Sequence, residues 1–289
     1  MLAFKYRVLE RTNDEGASKS MVRRQARPGW VAIDFAELWR YRELVFFYAV
    51  RDIKVRYKQT LLGIVWAVLQ PVLTMVVFSI FFGMLARVPS DGIPYPIFSY
   101  CGLVPWQLFV YALTQSSNRI VEDANVITKV YFPRLIVPLA SVMAGLVDFS
   151  IALGVLMAMI LYYDIPLGPA VLTLPLFVLL GLMAALAVGL WLSALNVRYR
   201  DVRYTIPFLA QFWLFVTPVA YSSSLVPTKW QTLYGINPMA GVVNGFRWAL
   251  LGTTPPDSML FVSMTATVVL LIGGLFFFRR MEKSFADII

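Results

Sequence analysis

The chain has 289 residues, of which 59% are hydrophobic and 14% are charged, with a net charge of +9 and a mean hydropathy of +0.71. Soluble domains carry about 25% charged residues, so this composition excludes an ordinary soluble domain and indicates a protein that crosses a membrane several times. The positive charge is then explained by basic residues that collect on one side of the bilayer, and it does not predict a nucleic-acid partner.

The residue types that the chain lacks limit its chemistry. It has no histidine, which is the commonest metal ligand and a frequent general base in proteins. Its one cysteine, Cys101, cannot form an intrachain disulfide and is expected to be a small buried apolar residue. The sequence contains no GxxxxGK[ST] loop for nucleotide phosphates. We therefore predict that the chain is not an enzyme and binds no cofactor or metal of its own.

The segment before the first long apolar run divides into two parts. Residues 1–33 are predicted to be a flexible cytoplasmic tail, since they are polar, basic and without helical periodicity. Residues 34–60 are predicted to form an amphipathic helix in the membrane interface, ending near residue 50 and followed by a basic segment, with Asp34 as an N-cap. A helix that only packs on its own bundle is the alternative. The residues singled out here are Trp39, Arg40, Arg51, Lys54 and Arg56.

Apolar runs in the remaining residues, 61–289, predict an all-α domain with six membrane-spanning helices. About 20 helical residues cross a hydrocarbon core of about 30 Å. The predicted spans are residues 61–86, 97–117, 136–162, 170–195, 205–221 and 259–278. With six crossings, all of the 25 Lys and Arg residues except Arg87, Lys229 and Arg247 fall on the side that holds both termini. Basic residues are retained in the cytoplasm, so both termini are predicted to be cytoplasmic.

The stretch between the fifth and sixth predicted spans is neither an ordinary loop nor a crossing. Residues 222–251 are too apolar for an external loop, and the stretch is interrupted by Pro, Gly and Asn-Pro. We expect two short re-entrant helices, which are tolerated at membrane depth only when covered by protein or facing water. An amphipathic loop on the outer surface is the alternative. The residues singled out are Trp230, Asn237, Pro238, Asn244, Arg247 and Trp248.

Asp148 is the only carboxylate deep within a predicted span. An acidic residue at the bilayer centre costs about 3 kcal/mol on insertion scales, which makes it a candidate functional residue. The alternative is a structural residue that is neutral or hydrogen-bonded near Ser141 or Ser150. No intramembrane Lys or Arg is expected to pair with it, so proton-coupled transport has little support.

Aromatic residues are dense along the first and fifth predicted spans. Such residues face lipid or pack in the core in most membrane proteins. The sharper alternative is that they line a conduit, since sugar rings stack on aromatic faces. The candidate lining residues are Trp66, Phe78, Phe81, Phe208, Phe212, Phe215 and Tyr221.

Three segments together resemble a known family. They are RDIKVRYKQTLLGIVWAVLQPV from Arg51, ITKVYFPRLIVPLAS from Ile127, and INPMAGVVNGFRWALLG from Ile236. In combination they are similar to the type-2 ABC permeases that export polysaccharides, such as O-antigen, capsule and teichoic acid. The resemblance covers residues 34–285, nearly the whole chain.

The resemblance implies partners as well as a function. It implies a homodimer that forms a channel in the bacterial cytoplasmic (inner) membrane for a lipid-linked polysaccharide. Two separate ABC ATPase subunits would bind ATP and Mg and dock on the loop after the second span. That coupling loop would contain Glu122, Asp123, Lys129, Phe132 and Arg134. An ABC exporter of a drug or small lipid, and less favoured a membrane enzyme acting on lipid-linked sugars, remain alternatives.

Overall fold

The computed structural model describes residues 35–58, 63–130, 132–282 and 285. Within these residues every regular element is a helix, which confirms the predicted all-α class. The predicted tail, residues 1–33, the suggested N-cap Asp34 and the start of the first predicted span lie outside the described residues.

Two helices precede the first span, α1 (Phe35–Arg40) and α2 (Arg42–Lys58). The sequence predicted a single helix that ends near residue 50. The structure instead breaks it at Tyr41 and continues α2 through the basic cluster to Lys58. The basic cluster contains no Gly or Pro, so nothing in it interrupts the helical hydrogen bonds.

Five helical segments are long and apolar enough to cross a membrane, so the chain is a multi-pass membrane protein. The first is α3 (Gly63–Phe78), which continues as a π-helix over Ser79–Leu85. The second is α4 (Tyr95–Glu122), and the short α5 (Ala124–Ile127) follows it. The others are α6 (Ile136–Tyr162), α7 (Leu174–Arg198) with the 3₁₀ turn Pro169–Thr173 before it, and α11 (Ser258–Glu282).

The fifth predicted span is shorter than expected. Helix α8 covers Val202–Val216, which is 15 residues. That length corresponds to about 22 Å, less than the hydrocarbon core. The predicted span of residues 205–221 was wrong at its end, because Thr217 is extended and is followed by Pro218. A residue before proline is disfavoured in the helical region, which ends the helix there.

The segment between α8 and α11 contains two further helices, α9 (Thr228–Tyr234) and α10 (Pro238–Leu251), after the 3₁₀ turn Ser223–Leu225. The break between α9 and α10 falls at Gly235 to Asn237, as the turn residues predict. Most residues of α10 are buried, and the helix packs on α4, α7 and α11.

Helix α4 lies at the centre of the bundle and packs on α6, α7 and α10. Close approach to α7 depends on Gly189, since a Cβ atom there would lie 2.0 Å from Oγ of Ser116. Small residues at such contacts let helix backbones approach in membranes. About two turns after Gly189 on α7, Nδ2 of Asn196 donates to the carbonyl of Ser117 of α4 at 3.1 Å. This hydrogen bond helps to fix the register of the two helices.

The buried side chains form two clusters. The larger one surrounds α4 and includes Cys101, which is fully buried as predicted. The smaller one gathers Tyr48 of α2, Phe132 after α5, and Phe278 at the end of α11. It therefore joins α2, the loop after the second span and the end of the last span at one end of the bundle.

Candidate functional site

The helix formed by α3 and its π-helical extension exposes aromatic side chains along one side. Trp66 is 61% exposed and Phe81 is 58% exposed. The expectation that Phe78 lines the same face is not met, because Phe78 is buried and its ring packs edge-on against Phe82 at 5.4 Å. The change to π-helical geometry at Ser79 alters the angular spacing of the residues that follow, so Phe78 and Phe81 point in different directions.

Helix α8 carries a stripe of exposed aromatic residues. Tyr204, Phe208, Phe212 and Phe215 are each more than half exposed, and their spacing of four, four and three residues puts them on one side of the helix. We call this set the α8 aromatic stripe. Tyr204 was not among the predicted lining residues, because the fifth span was predicted to begin at residue 205.

The last predicted lining residue, Tyr221, lies beyond the end of α8. Its hydroxyl donates to the carbonyl of Phe215 at 3.1 Å and is 2.7 Å from the hydroxyl of Tyr234. Tyr221 is therefore part of the contact between the extended segment after α8 and helix α9. It does not continue the aromatic stripe.

A polar cavity of about 380 Å³ opens between α2, α3, α4 and α6. Leu214 of α8 also borders it. Its polar lining includes Gln70 and Thr74 of α3 and Gln107, Tyr111, Thr114 and Gln115 of α4, two helices that were predicted to be apolar spans. These side chains are spaced so that they share one face of each helix. The glutamines were visible in the sequence, but only the packing brings them together.

Asp148 lies on the wall of this cavity, and its partners come from α2. Nη2 of Arg56 is 2.6 Å from Oδ2 of Asp148, and the hydroxyl of Tyr57 donates to Oδ1. Asp148 therefore has a basic partner, which comes from the helix before the first span and not from within a span. Ser141 and Ser150, the partners considered from the sequence, donate instead to carbonyl groups of their own helix. The end of α2 thus supplies both a counter-charge and a hydrogen-bond donor to a span.

Tyr57 is constrained by the same contact. Burial, together with the hydrogen bond to Asp148, raises the pKa of Tyr57 above its usual range. The phenol therefore stays protonated at neutral pH and acts as a donor. Arg56 also lies over the ring of Tyr111, with its guanidinium carbon 4.7 Å from the ring centre. This places a cation–π contact beside the ion pair.

A cluster of charged residues joins α2 to the end of α4. Nη2 of Arg51 lies 2.9 Å from Oδ2 of Asp123, and Arg51 also pairs with its neighbour Asp52 at 3.1 Å. Arg119 pairs with Asp52 and contacts Asp123 at 3.5 Å and Glu122 at 3.2 Å. We call these five residues the α2–α4 ion-pair cluster. Alternating charges stabilise one another when they are partly buried and remain hydrogen-bonded.

Two residues of the predicted coupling loop are turned into the protein. The carboxylate of Asp123 lies in the ion-pair cluster with little exposed surface, and Phe132 is buried with its ring 6.0 Å from that of Tyr48. Arg134 is tied to the end of α11, since its backbone N–H donates to Oε1 of Glu282 at 3.0 Å and its guanidinium donates to the carbonyl of Glu282. The structure therefore corrects the expectation that Asp123 and Arg134 face a partner ATPase, and it places Phe132 inside the protein.

The outward face of this loop is different from the one predicted. Asn125, Val126, Lys129 and Val130 are exposed around α5, and Val130 is 56% exposed. Val126 and Val130 are four residues apart and both exposed, and neighbouring exposed apolar side chains can form part of a contact surface for another protein. Only Lys129 and the partly exposed Glu122 among the predicted coupling residues belong to the outer surface.

The helices before the first span expose large apolar residues. Trp39, Phe46, Phe47 and Val55 are each about two-thirds exposed. Arg40 and Lys54 are exposed between them, and Arg42 lies over the ring of Trp39 at 5.2 Å. A mixture of exposed aromatic and basic side chains is typical of a helix at the membrane interface.

The residues predicted in the segment of α9 and α10 hold it against the bundle. Asn237 caps α10 by accepting from the N–H of Met239 at 3.1 Å, Pro238 occupies the first turn, and Nε1 of Trp213 donates to Asn237 at 2.9 Å. The ring of Trp248 packs edge-on against Phe177. Trp230 is half exposed on α9.

Arg247 is buried within the same segment. Its guanidinium donates to the carbonyls of Pro218, Val219 and Tyr221 at 2.6, 2.7 and 3.2 Å, and it lies 3.6 Å from the ring centre of Phe98. Arg247 therefore fastens the extended segment after α8 to α10. The sequence placed Arg247 in the predicted re-entrant segment but did not predict its contact with these carbonyl groups.

Comparisons with known proteins identify a family and several relatives of this chain. A family model described as ABC-2 type transporter matches residues 43–251. An O-antigen export system permease protein RfbA from Myxococcus xanthus is 29% identical over 255 residues, which cover 87% of this chain and 97% of that protein. An RfbA protein from Klebsiella pneumoniae is 28% identical over 83% of this chain and 92% of that protein. The polysialic acid transport protein KpsM from Escherichia coli is 23% identical over 81% of this chain.

Proposed function

Because the chain belongs to the ABC-2 type transporter family, we propose that it is the permease subunit of an ATP-binding-cassette exporter that moves a lipid-linked polysaccharide across the bacterial inner membrane. The observation that carries this proposal is the similarity to two O-antigen export permeases over more than four-fifths of this chain. Similarity to a polysialic acid transport protein supports the same class of cargo.

The exposed aromatic residues support a conduit formed by two copies of the chain. One copy leaves the α8 aromatic stripe, Trp66 and Phe81 exposed. A second copy placed against these helices would enclose them, and aromatic faces provide stacking surfaces for sugar rings that pass between. The polar cavity beside α3 and α4 supplies hydrogen-bonding groups for hydroxyls in the same region. Facing lipid is the competing role for the stripe.

The energy source is proposed to be a partner ATPase. Membership of the ABC-2 type transporter family supports a separate ABC ATPase as the partner. The exposed surface around Val126, Lys129 and Val130 would dock on an ATPase subunit, which would bind ATP and Mg. Two copies of the permease would then bind two ATPase subunits.

The orientation follows from charge and from this docking surface. With both termini in the cytoplasm, α5 and the α2–α4 ion-pair cluster lie on the side where ATP is available. The turn between α9 and α10 then lies toward the outer side, where the pair is proposed to be re-entrant.

Deletion of the gene tests the proposal. We expect the deletion strain to lose its surface polysaccharide and to accumulate lipid-linked polymer inside the cell, and the intact gene to restore export. Unchanged surface polymer would contradict the proposal. A change in drug resistance or in lipid export without a change in polymer would favour the alternative cargo.

A further inference from the structure

A second polar pocket lies at the opposite end of α4 from the ion-pair cluster. Its volume is about 380 Å³, within the range of small-molecule sites. The 28 residues of α4 put it about 40 Å from the cluster. It is built from the connection before α4, the 3₁₀ turn Ser223–Leu225, and the connection between α10 and α11, and α10 also borders it. Its polar lining includes Asp91, Ser222, Ser223, Ser224, Asn244 and Thr254.

The polar side chains on one wall are held in place by one another. Asp91 accepts from the hydroxyls of Ser222 at 2.6 Å and Ser224 at 3.2 Å, and Nδ2 of Asn244 donates to Oγ of Ser223 at 3.0 Å. The backbone of Asp91 is left-handed, with φ of 54°, a conformation that Asp adopts more readily than most residues. The wall is therefore preorganised, so a ligand would bind without first ordering these groups.

The floor of the pocket contains Arg247. Its two terminal nitrogens are used by backbone carbonyls, but its buried Nε has no hydrogen-bond partner among the described residues. A buried donor without a partner costs about 1–3 kcal/mol. This nitrogen has no exposed surface, so Arg247 borders the pocket without offering a free charged donor to a ligand.

We propose that this pocket binds a neutral sugar unit of the polymer at the outer end of the conduit. The proposal rests on the proposed function for its source of sugar. The lining offers hydroxyl and amide groups that both donate and accept, which matches the alternating requirements of sugar hydroxyls. Pro255, Pro256 and Leu260 add an apolar wall that fits the C–H face of a sugar ring.

The acidic residues at the pocket disfavour an acidic ligand. The acidic residues at the pocket are Asp91 and Asp257, whereas Arg247 is buried and already held by carbonyls. A carboxylated sugar would meet this negative rim and bind less tightly than a neutral one. No group of three or more His, Cys, Asp or Glu able to hold a metal ion occurs in the described part of the chain, so a cation is not the preferred ligand.

Titration of the full chain in lipid nanodiscs tests the proposal. The probes are three neutral trisaccharides (mannotriose, galactotriose and a rhamnose trisaccharide) and one acidic trimer of sialic acid, followed by saturation-transfer NMR. We expect saturable binding of at least one neutral probe and weaker binding of the acidic one. The double variant Asn244→Ala/Thr254→Val should weaken the neutral probe about tenfold. Thr265→Val, which removes an exposed hydroxyl on α11, should bind as the unchanged chain does.

Three results would overturn the proposal. They are no saturable binding of any neutral probe, equal binding by the double variant, and tighter binding of the acidic trimer. Thermal unfolding of each variant in nanodiscs separates loss of the pocket from loss of the fold. The proposed function is tested separately, because the deletion strain reports export of surface polymer in cells. Failure of sugar binding in nanodiscs would therefore count against the pocket and not against the proposed function.

Discussion

Nη2 of Arg51 lies 2.9 Å from Oδ2 of Asp123, and this contact ties the helix before the first span to the loop after the second. The two residues are 72 positions apart in the chain. From the sequence, Asp123 was expected to face a partner protein. Its carboxylate instead belongs to an internal network, so movement of the loop would be transmitted directly to α2.

The first prediction concerns this network. Asp123→Asn should lower the free energy of unfolding by about 1–3 kcal/mol, because it leaves two partly buried arginines with a weaker acceptor. Glu122→Gln is the matched control and should cost less than about 1 kcal/mol, because Glu122 is more exposed and has one arginine partner. Denaturant unfolding in detergent measures both. Equal losses in the two variants would contradict the assignment of Asp123 to the network.

The second prediction concerns ATPase docking. Val130→Asp should reduce co-purification of the partner ATPase about tenfold, because it puts a charge into the apolar part of the proposed contact. Tyr199→Asp adds the same charge to an exposed position in the connection between α7 and α8 and serves as the control. If both variants retain the ATPase, the surface around α5 is not the docking site.

The third prediction separates exposed aromatic residues from buried ones. Phe212→Ala should reduce polymer export while the protein remains as stable as the unchanged chain, since this ring is exposed. Phe78→Ala should destabilise the fold by about 3 kcal/mol, because it leaves a cavity beside Phe82. Export assays and thermal unfolding measure the two effects.

A control distinguishes the conduit from a lipid-facing surface. Phe261 of α11 is 70% exposed, similar to the residues of the α8 aromatic stripe. Phe261→Ala should leave export unchanged. A similar loss of export in the Phe261 and Phe212 variants would mean that the stripe has no special role.

The fourth prediction concerns the ion pair at the polar cavity. Asp148→Asn should destabilise the protein by about 1–3 kcal/mol, because it removes the carboxylate that pairs with Arg56 beside the cavity. Tyr57→Phe should cost about 1 kcal/mol, the loss of one hydrogen bond. Denaturant unfolding measures both. An unchanged free energy of unfolding in the Asp148→Asn variant would show that the contact contributes nothing to the stability of the fold.

The sequence was sufficient to predict the family, the helical class and the positions of the long spans. These rest on local properties, because apolar run length and basic residues are read directly along the chain. The end of α8 could also have been predicted, since Pro218 disfavours a helical conformation at Thr217. The contact between Asp148 and Tyr57 could not have been predicted, because the two residues are 91 positions apart and only tertiary packing brings them together.

The sequence also could not predict the helix face on which each aromatic residue lies. Phe78 and Phe81 differ in burial because the helix becomes π-helical between them, and no residue pattern in that run signals the change. The loop after the second span remains a predicted coupling loop, but the side chains that it exposes are not the ones expected. Charged residues were expected to face out, yet Asp123 and Arg134 satisfy partners inside the protein.

Reconstitution tests the central claim most directly. The purified chain and its ATPase partner would be placed in proteoliposomes with lipid-linked polysaccharide on the ATPase side, and polymer on the opposite side would be measured with and without ATP. We predict translocation that requires ATP, the ATPase and this chain together. Translocation by this chain alone without ATP, or none with the complete system, would contradict the account.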